Sequence, residues 1–415
     1  MNLFKIKKTT FKHGSILLIA TGAGGVCNYL FNILIGRMLA PAEYASVVAL
    51  FSALAIITFP YSAIQTVIAR YTAGFNAKSE TGKIKQIIVK ASKTFIIVTV
   101  VLFFIIAALS VPLSRFLNIS SPISIVLIGS VLLLMTPLAL NRGVLNGLQH
   151  YFRLSVNGTA EVLTKLLVGV VFVYLGFGVN GAVLAVVLGT LVGLVISTYQ
   201  LKPIFAEHAK EGVQKIVISE VYRYGLAVLV NILIFNILTN STMLIVKHRY
   251  SSDIAGHYAG AEIISKILLF VTGIIPVMLL PKVAVLESEK KDARAMLLKG
   301  LVPVFAIGIV FIVGCLIYGK QIITFFFGSK YADGGSLLWS LSIALFFYSI
   351  YNVASYYLIA AKKNAFLYFA AAILLFQITA ASLFSSNLNN MVVVLIGSGF
   401  MLVVMTLFLS FREKT

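Results

Sequence analysis

Twelve apolar stretches, each close to 20 residues long and joined by short polar or basic links, set the strongest limit on how this chain can fold. They run approximately over 14–36, 46–69, 94–113, 122–141, 159–177, 180–200, 224–246, 260–280, 299–318, 336–360, 364–384 and 390–411. About 20 mostly apolar residues in a helix cross the roughly 30 Å hydrocarbon core of a bilayer, and a helix satisfies its backbone donors and acceptors internally. Of the 415 residues 60% are hydrophobic and only 11% charged, where an ordinary soluble domain carries about 25% charged residues. No soluble interior of this size hides so much apolar surface. The expected fold is an all-α polytopic membrane protein with about 12 transmembrane helices.

Charge then gives sidedness. The net charge is +20, from 33 Lys and Arg against 13 Asp and Glu. In a soluble chain that excess would suggest nucleic acid. Here 25 of the basic residues fall at the N-terminus, the C-terminus and in the even-numbered links, and only 6 in the odd-numbered ones. By the positive-inside rule both termini are expected in the cytoplasm, and the basic excess then needs no role with nucleic acid. The basic start (Lys5, Lys7, Lys8, Lys12) leads into 23 apolar residues, too long for the hydrophobic part of a signal peptide. Cys27 and Cys315 lie inside apolar stretches and read as packing residues. With external links of at most about 17 residues and internal ones of about 24, there is no room for a separate catalytic domain.

The two halves echo one another. Asn28-Tyr29-Leu30-Phe31-Asn32 has a counterpart in Asn236-Ile237-Leu238-Thr239-Asn240, Tyr44-Ala45 in Tyr258-Ala259, and Thr58 and Pro60 in Thr272 and Pro276. Six spans against six predicts parallel repeats: an N-terminal lobe over 1–201, a cytoplasmic linker over 202–223 and a C-terminal lobe over 224–415. Transporters built from repeats place substrate at the repeat interface.

Three segments also resemble a known family. Tyr29 to Tyr44 (YLFNILIGRMLAPAEY), Arg142 to Ala182 and His257 to Pro281 are similar to the polysaccharide-transporter branch of the multidrug/oligosaccharidyl-lipid/polysaccharide superfamily. The resemblance implies two six-helix lobes around a central cavity, working by alternating access. It implies a flippase for polyprenyl-diphosphate-linked oligosaccharides, such as O-antigen, capsule or exopolysaccharide repeat units. A polysaccharide polymerase and the export machinery are the candidate protein partners.

Ionisable residues within spans cost about 2.5–3.5 kcal/mol each on insertion scales and are functional candidates for that reason. Four stand out as two pairs, Glu161 with Lys165 and Glu262 with Lys266. In each pair the glutamate precedes the lysine by four residues, the favoured order on one helix face. Self-neutralisation with the lysine snorkelling to the interface competes with a role in a cavity, and for Lys165 both readings stand. Lys266 lies eight residues beyond Tyr258, about 12 Å along the helix, where snorkelling is strained. A cation there suits a diphosphate, and Glu262 or Glu161 suits coupling to a proton or sodium gradient. No other cofactor and no metal is expected.

Asn28, Asn32, Asn236 and Asn240 share single helix faces and fit either helix packing or a cavity wall. Ser342, Ser349, Asn352 and Tyr356 form a stripe suited to sugar hydroxyls or to a polar packing seam. Arg142 is a candidate for meeting phosphate at the entrance, or an anchor at the basic end of its span. Gly314 to Lys320 imitates a phosphate loop, but Gln321 stands where Ser or Thr is required. Five scattered histidines offer no metal spacing. A multidrug cation exporter of the same superfamily is the nearest alternative, but lysines accompany both carboxylates and favour an anionic substrate. A membrane glycan polymerase or glycosyltransferase needs extramembrane catalytic groups that this chain lacks.

Overall fold

The computed structural model describes residues 22–78, 80–206, 219–289, 291–384 and 387–412. The basic start, the first part of the 14–36 stretch and most of the 202–223 linker lie outside them. The described residues form α1 (22–38), α2 (Pro41–Ala77), α3 (Thr81–Ala108), α4 (Ser110–Phe116), α5 (Pro122–Gly147), α6 (Tyr151–Tyr174), α7 (Gly178–Gln200) and α8 (Lys202–Ala206). The second half continues with α9 (Ser219–Arg249), α10 (Ser252–Thr272), α11 (Ile274–Ser288), α12 (Arg294–Phe327), a 3-10 turn (Ser329–Gly334), α13 (Gly335–Ala360), α14 (Phe366–Leu383) and α15 (Leu388–Phe411). Among the described residues eleven helical segments are long and apolar enough to cross a membrane. They coincide with the second to twelfth expected stretches, α10 and α11 together making the eighth.

The helices are longer, and the links shorter, than the hydropathy pattern suggests. α2 has 37 residues, about 55 Å at the helical rise, well beyond the roughly 30 Å of hydrocarbon. Only residues 78–80 separate it from α3, so the expected 70–93 link is mostly helix. Lys83, Lys85, Lys90 and Lys93 ride on the first turns of α3. Lysine is a good helix former, and a helix leaving the membrane keeps its hydrogen-bond ladder unless a breaker stops it. The phosphate-loop imitation over 314–320 is likewise helical, within α12, with one non-helical residue at Tyr318 (φ −116°, ψ 20°).

Contacts divide the chain into two compact units, one of Met1–Leu39 with Ile57–Val221 and one of Ala40–Ile56 with Tyr222–Thr415. This departs from the linear division in one place: the first residues of α2 pack with the second unit. Pro41 is set against Gly256 of α10, where an added Cβ would stand 2.3 Å from the Pro41 carbonyl oxygen. Tyr44 is fully buried, its ring 5.4 Å from Phe327 and 5.9 Å from Tyr331.

In the first unit Ile64, Ile68, Ile84, Ile87, Leu140, Val144 and Leu145 form a buried cluster from α2, α3 and α5. Gly143 and Gly147 bring α5 onto α2, since a Cβ at Gly147 would lie 2.4 Å from the Ala69 carbonyl oxygen. Small residues allow such approach where lipid supplies no hydrophobic drive between helices. In the second unit α13 is the central helix, with 72% of its apolar window buried. The repeat is imperfect here. α2 runs unbroken through Pro60, whereas its counterpart breaks at Gly273 between α10 and α11, three residues before Pro276.

Candidate functional site

Two polar constellations, one in each unit, gather most of the residues singled out from sequence. In the first unit α6 carries Glu161 and Lys165 against α7. A Cβ at Gly189 would stand 2.7 Å from the Glu161 carbonyl oxygen and 3.2 Å from the Lys165 Cβ, so glycine there sets the approach. Gly193, one turn on, leaves space beside the Glu161 carboxylate and the Arg142 guanidinium.

The expected ion pairing changes at this point. Glu161 Oε2 accepts from an Arg142 terminal nitrogen in a close ion pair, and Arg142 Nε donates to Asn157 Oδ1 at 2.7 Å. Asn157 Nδ2 in turn donates to the Gly193 carbonyl. The planar guanidinium fork of Arg142 engages both acceptors at once, Nε on Asn157 and a terminal nitrogen on Glu161. Arg142 thereby joins α5 to α6 and, through Asn157, to α7, the anchoring side of its two readings; a contact with phosphate stays a proposal. Lys165 Nζ instead donates to Asn28 Oδ1 at 3.0 Å and sits 4.4 Å from the Phe31 ring centre, a cation–π contact. Asn32 Nδ2 donates to the Asn28 carbonyl at 2.8 Å.

The second unit forms the other constellation. Lys266 Nζ lies 2.8 Å from Glu262 Oε1, the i,i+4 pair read from sequence, and donates to Asn240 Oδ1 at 3.0 Å. Asn240 Nδ2 donates to the Asn236 carbonyl at 2.8 Å, and Asn236 Nδ2 to that of Ile232 at 3.0 Å. Glu262 is buried, and its Oε2 has no hydrogen-bond partner among the described residues. Beside it Thr239, Thr242, Tyr258 and Tyr348 line a cavity of about 10 Å³, at the lower limit for one water.

The two constellations share a bond: an asparagine of the first helix of each half accepts from a lysine on another helix. They use different members of the repeat, however, because Asn28 corresponds to Asn236 and not to Asn240. The amide donors of Asn32 and Asn236 turn back onto their own helices.

The stripe on α13 resolves in part into a packing seam. Ser349 is buried and accepts from Thr272 Oγ1 at 3.2 Å while donating to the Leu345 carbonyl. Ser342 and Ser265 lie 3.4 Å apart in the same α10–α13 interface. That buried position places Ser349 in the α10–α13 packing seam, the second of its two readings, and a sugar contact stays a proposal. Asn352 is half-buried, its carbonyl accepting from Ser355 Oγ.

Lys247, one of the six basic residues counted in the odd-numbered links, was not singled out from sequence. Its side chain is buried at the end of α9 and donates to Ser252 Oγ at 3.0 Å and to the Ala42 carbonyl at 3.5 Å. It thus ties the start of α2 to the second unit. No local pattern reveals this, because the partner lies about 200 residues away. Among the described residues no three His, Cys, Asp or Glu side chains converge as metal ligands.

Comparison with known proteins adds a family and a fold. The model of the family described as "Polysaccharide biosynthesis protein" matches residues 85–336, more than half of the chain. An uncharacterized membrane protein of Methanocaldococcus jannaschii is 22% identical over 240 residues, which cover 55% of this chain and 56% of that protein. The chain therefore spans only about half the length of this curated relative. Among solved structures, an inward-facing multidrug resistance MATE transporter of the MOP superfamily superposes with a TM-score of 0.77 at 15% identity, covering 93% of this chain and 92% of its own. The lipid II flippase MurJ, in an inward closed conformation, gives 0.71 at 16% identity, covering 94% and 86%. The chain belongs to the polysaccharide biosynthesis protein family and carries the fold of the MOP-superfamily transporters.

Proposed function

We propose that this protein is a flippase, not an enzyme. Its substrate would be a polyprenyl-diphosphate-linked oligosaccharide, carried from the cytoplasmic to the outer leaflet of a bacterial cytoplasmic membrane by alternating access. O-antigen, capsule and exopolysaccharide repeat units are the substrates in view. The observation that carries this reading is the pair of lysines, Lys165 and Lys266, placed deep in apolar helices and each held by an asparagine oxygen. A polyprenyl tail can stay in lipid, but a diphosphate cannot cross hydrocarbon without charge compensation. Two ammonium groups kept in place by neutral amides, with Asn32 and Asn236 nearby, suit such a head group. Weak cationic sites also permit release on the far side.

Glu262 is the coupling group in this account. Its Oε1 is occupied by Lys266, while Oε2 and the small adjoining cavity leave one position for a proton or a sodium ion. Glu161 drops out of that role because Arg142 engages it. A multidrug cation exporter, the alternative within the superfamily that includes the multidrug resistance MATE neighbour, fits less well: both membrane carboxylates already face a basic partner.

Export of the lipid-linked glycan in cells lacking the native gene tests the reading. The paired variant Glu262→Gln with Lys266→Ala removes both charges without leaving either unpaired, and should be present in the membrane but fail to export. Lys266→Arg should retain part of the activity. Normal export by the paired variant would overturn the assignment.

A further inference from the structure

The first unit contains a second feature that the transport account does not use. Among the described spans helix α3 is the least buried, with 6% of its apolar window inside the protein against 56% for α5. Between α3, α5 and α7 lies an open crevice of about 650 Å³, within the about 300–1,000 Å³ typical of small-molecule sites. A gap of that size facing the bilayer must be filled, because bare apolar walls forfeit their dispersion contacts.

Its chemistry changes along the helix axis. Ile96 and Ile97 of α3 face Pro137 of α5 on the hydrocarbon side. One turn nearer the basic end of α3, about 6 Å away, the lining becomes Lys93, Asn141 and Thr198. Lys93 is exposed and, among the described residues, has no ion pair. Asn141 is buried, and its Nδ2 donates to Ser197 Oγ at 3.0 Å and Thr198 Oγ1 at 3.1 Å. Thr198 accepts that bond and, among the described residues, its hydroxyl donates to no protein acceptor, which leaves the proton for a ligand oxygen. One ammonium and one hydroxyl donor above an apolar trough match a phosphodiester joined to an acyl chain. Lys85 and Lys90 on the same helix strengthen the preference for negative charge.

We propose that this crevice binds one anionic phospholipid from the leaflet beside the 78–80 link. The phosphate sits on Lys93 and Thr198, an acyl chain lies along Ile97 and Pro137, and the lipid secures α3 against α5 and α7. The proposal does not depend on which leaflet faces the cytoplasm or on what the protein transports.

The test uses the full chain, purified in detergent and incubated with phosphatidylglycerol or phosphatidylcholine of identical chains. Retained lipid is counted by intact-complex mass spectrometry. Wild type should hold one phosphatidylglycerol at least fivefold more tightly than phosphatidylcholine. Lys93→Ala should abolish that preference, and Ile97→Trp, at a position 67% exposed and therefore tolerant, should fill the trough and displace the lipid. Lys320→Ala, on α12, should change nothing. Equal retention of the two phospholipids, or an unchanged preference in Lys93→Ala, overturns the proposal. So does stoichiometric displacement of phosphatidylglycerol by polyprenyl monophosphate, which would assign the crevice to the isoprenoid carrier instead.

Discussion

Breaking the Lys266–Glu262 pair should cost far more than removing it. The two groups meet at 2.8 Å, with side-chain exposures of 17% and 4%, so solvent screens them little. Lys266→Ala leaves the Glu262 carboxylate buried without a counter-charge, and loss of one member of such a pair costs about 3–5 kcal/mol. Glu262→Gln leaves an ammonium that keeps its Asn240 acceptor and some exposure, so its cost should be nearer 1–3 kcal/mol. Removing both leaves a neutral amide and no orphaned charge, and the cost should fall below that of Lys266→Ala alone. The double-mutant cycle should therefore show a coupling of about 2–3 kcal/mol, well outside the roughly 0.5 kcal/mol expected of independent sites. Equilibrium unfolding in mixed micelles, followed by the near-ultraviolet signal, measures all four proteins under one condition. Additive costs would refute the claim that the pair is buried and mutually dependent.

Other consequences follow from close contacts. Gly189→Leu should wedge α6 from α7, because even a Cβ stands 2.7 Å from backbone; folded yield in the membrane should fall severalfold, whereas an exposed control such as Val195→Leu should be neutral. Arg142→Ala should destabilise by about 2 kcal/mol, less than a fully buried pair since both members are 19% exposed. Arg142→Lys should recover only part of that loss, because a single ammonium nitrogen lacks the planar fork that sets separate nitrogens on Asn157 and Glu161, as thermal unfolding would show. For topology, single cysteines at Asn118 and Ser251, in a chain lacking Cys27 and Cys315, should react with an impermeant thiol reagent added outside intact cells. Labelling of Lys78→Cys instead would reverse the orientation.

The spans were legible because each requires about 20 apolar residues and nothing else in a sequence looks like that. Their true ends were not, since the lysines that close the hydropathy window on α3 also continue the helix. The Glu262–Lys266 pair was visible because i,i+4 spacing places both side chains on one face whatever the tertiary structure. At Glu161 the same spacing showed only part of the arrangement: the Glu161 charge still acts on Lys165, while Arg142 arrives from a neighbouring helix and forms the close ion pair. Sequence indicated that Asn28 and Asn240 were unusual but not that each would accept from a lysine, because that depends on which helices touch. Lys247 and the transfer of Ala40–Ile56 to the second unit were hidden for the same reason. Ser349 is buried against Thr272 of α10, a contact that spacing within α13 cannot reveal.

The central claim is that the two amide-held lysines carry an anionic, lipid-linked glycan across the membrane without ATP. Purified protein in liposomes, supplied with a fluorescent polyprenyl-diphosphate oligosaccharide and an imposed proton or sodium gradient, measures this directly through the fraction of glycan accessible to an external lectin. Accessibility should rise with wild type and a gradient alone, fall in Lys165→Ala, and fall further when that change is combined with the paired Glu262→Gln and Lys266→Ala substitutions. Unchanged translocation by the combined variant, or efflux of a cationic dye with no movement of the glycan, would contradict the account.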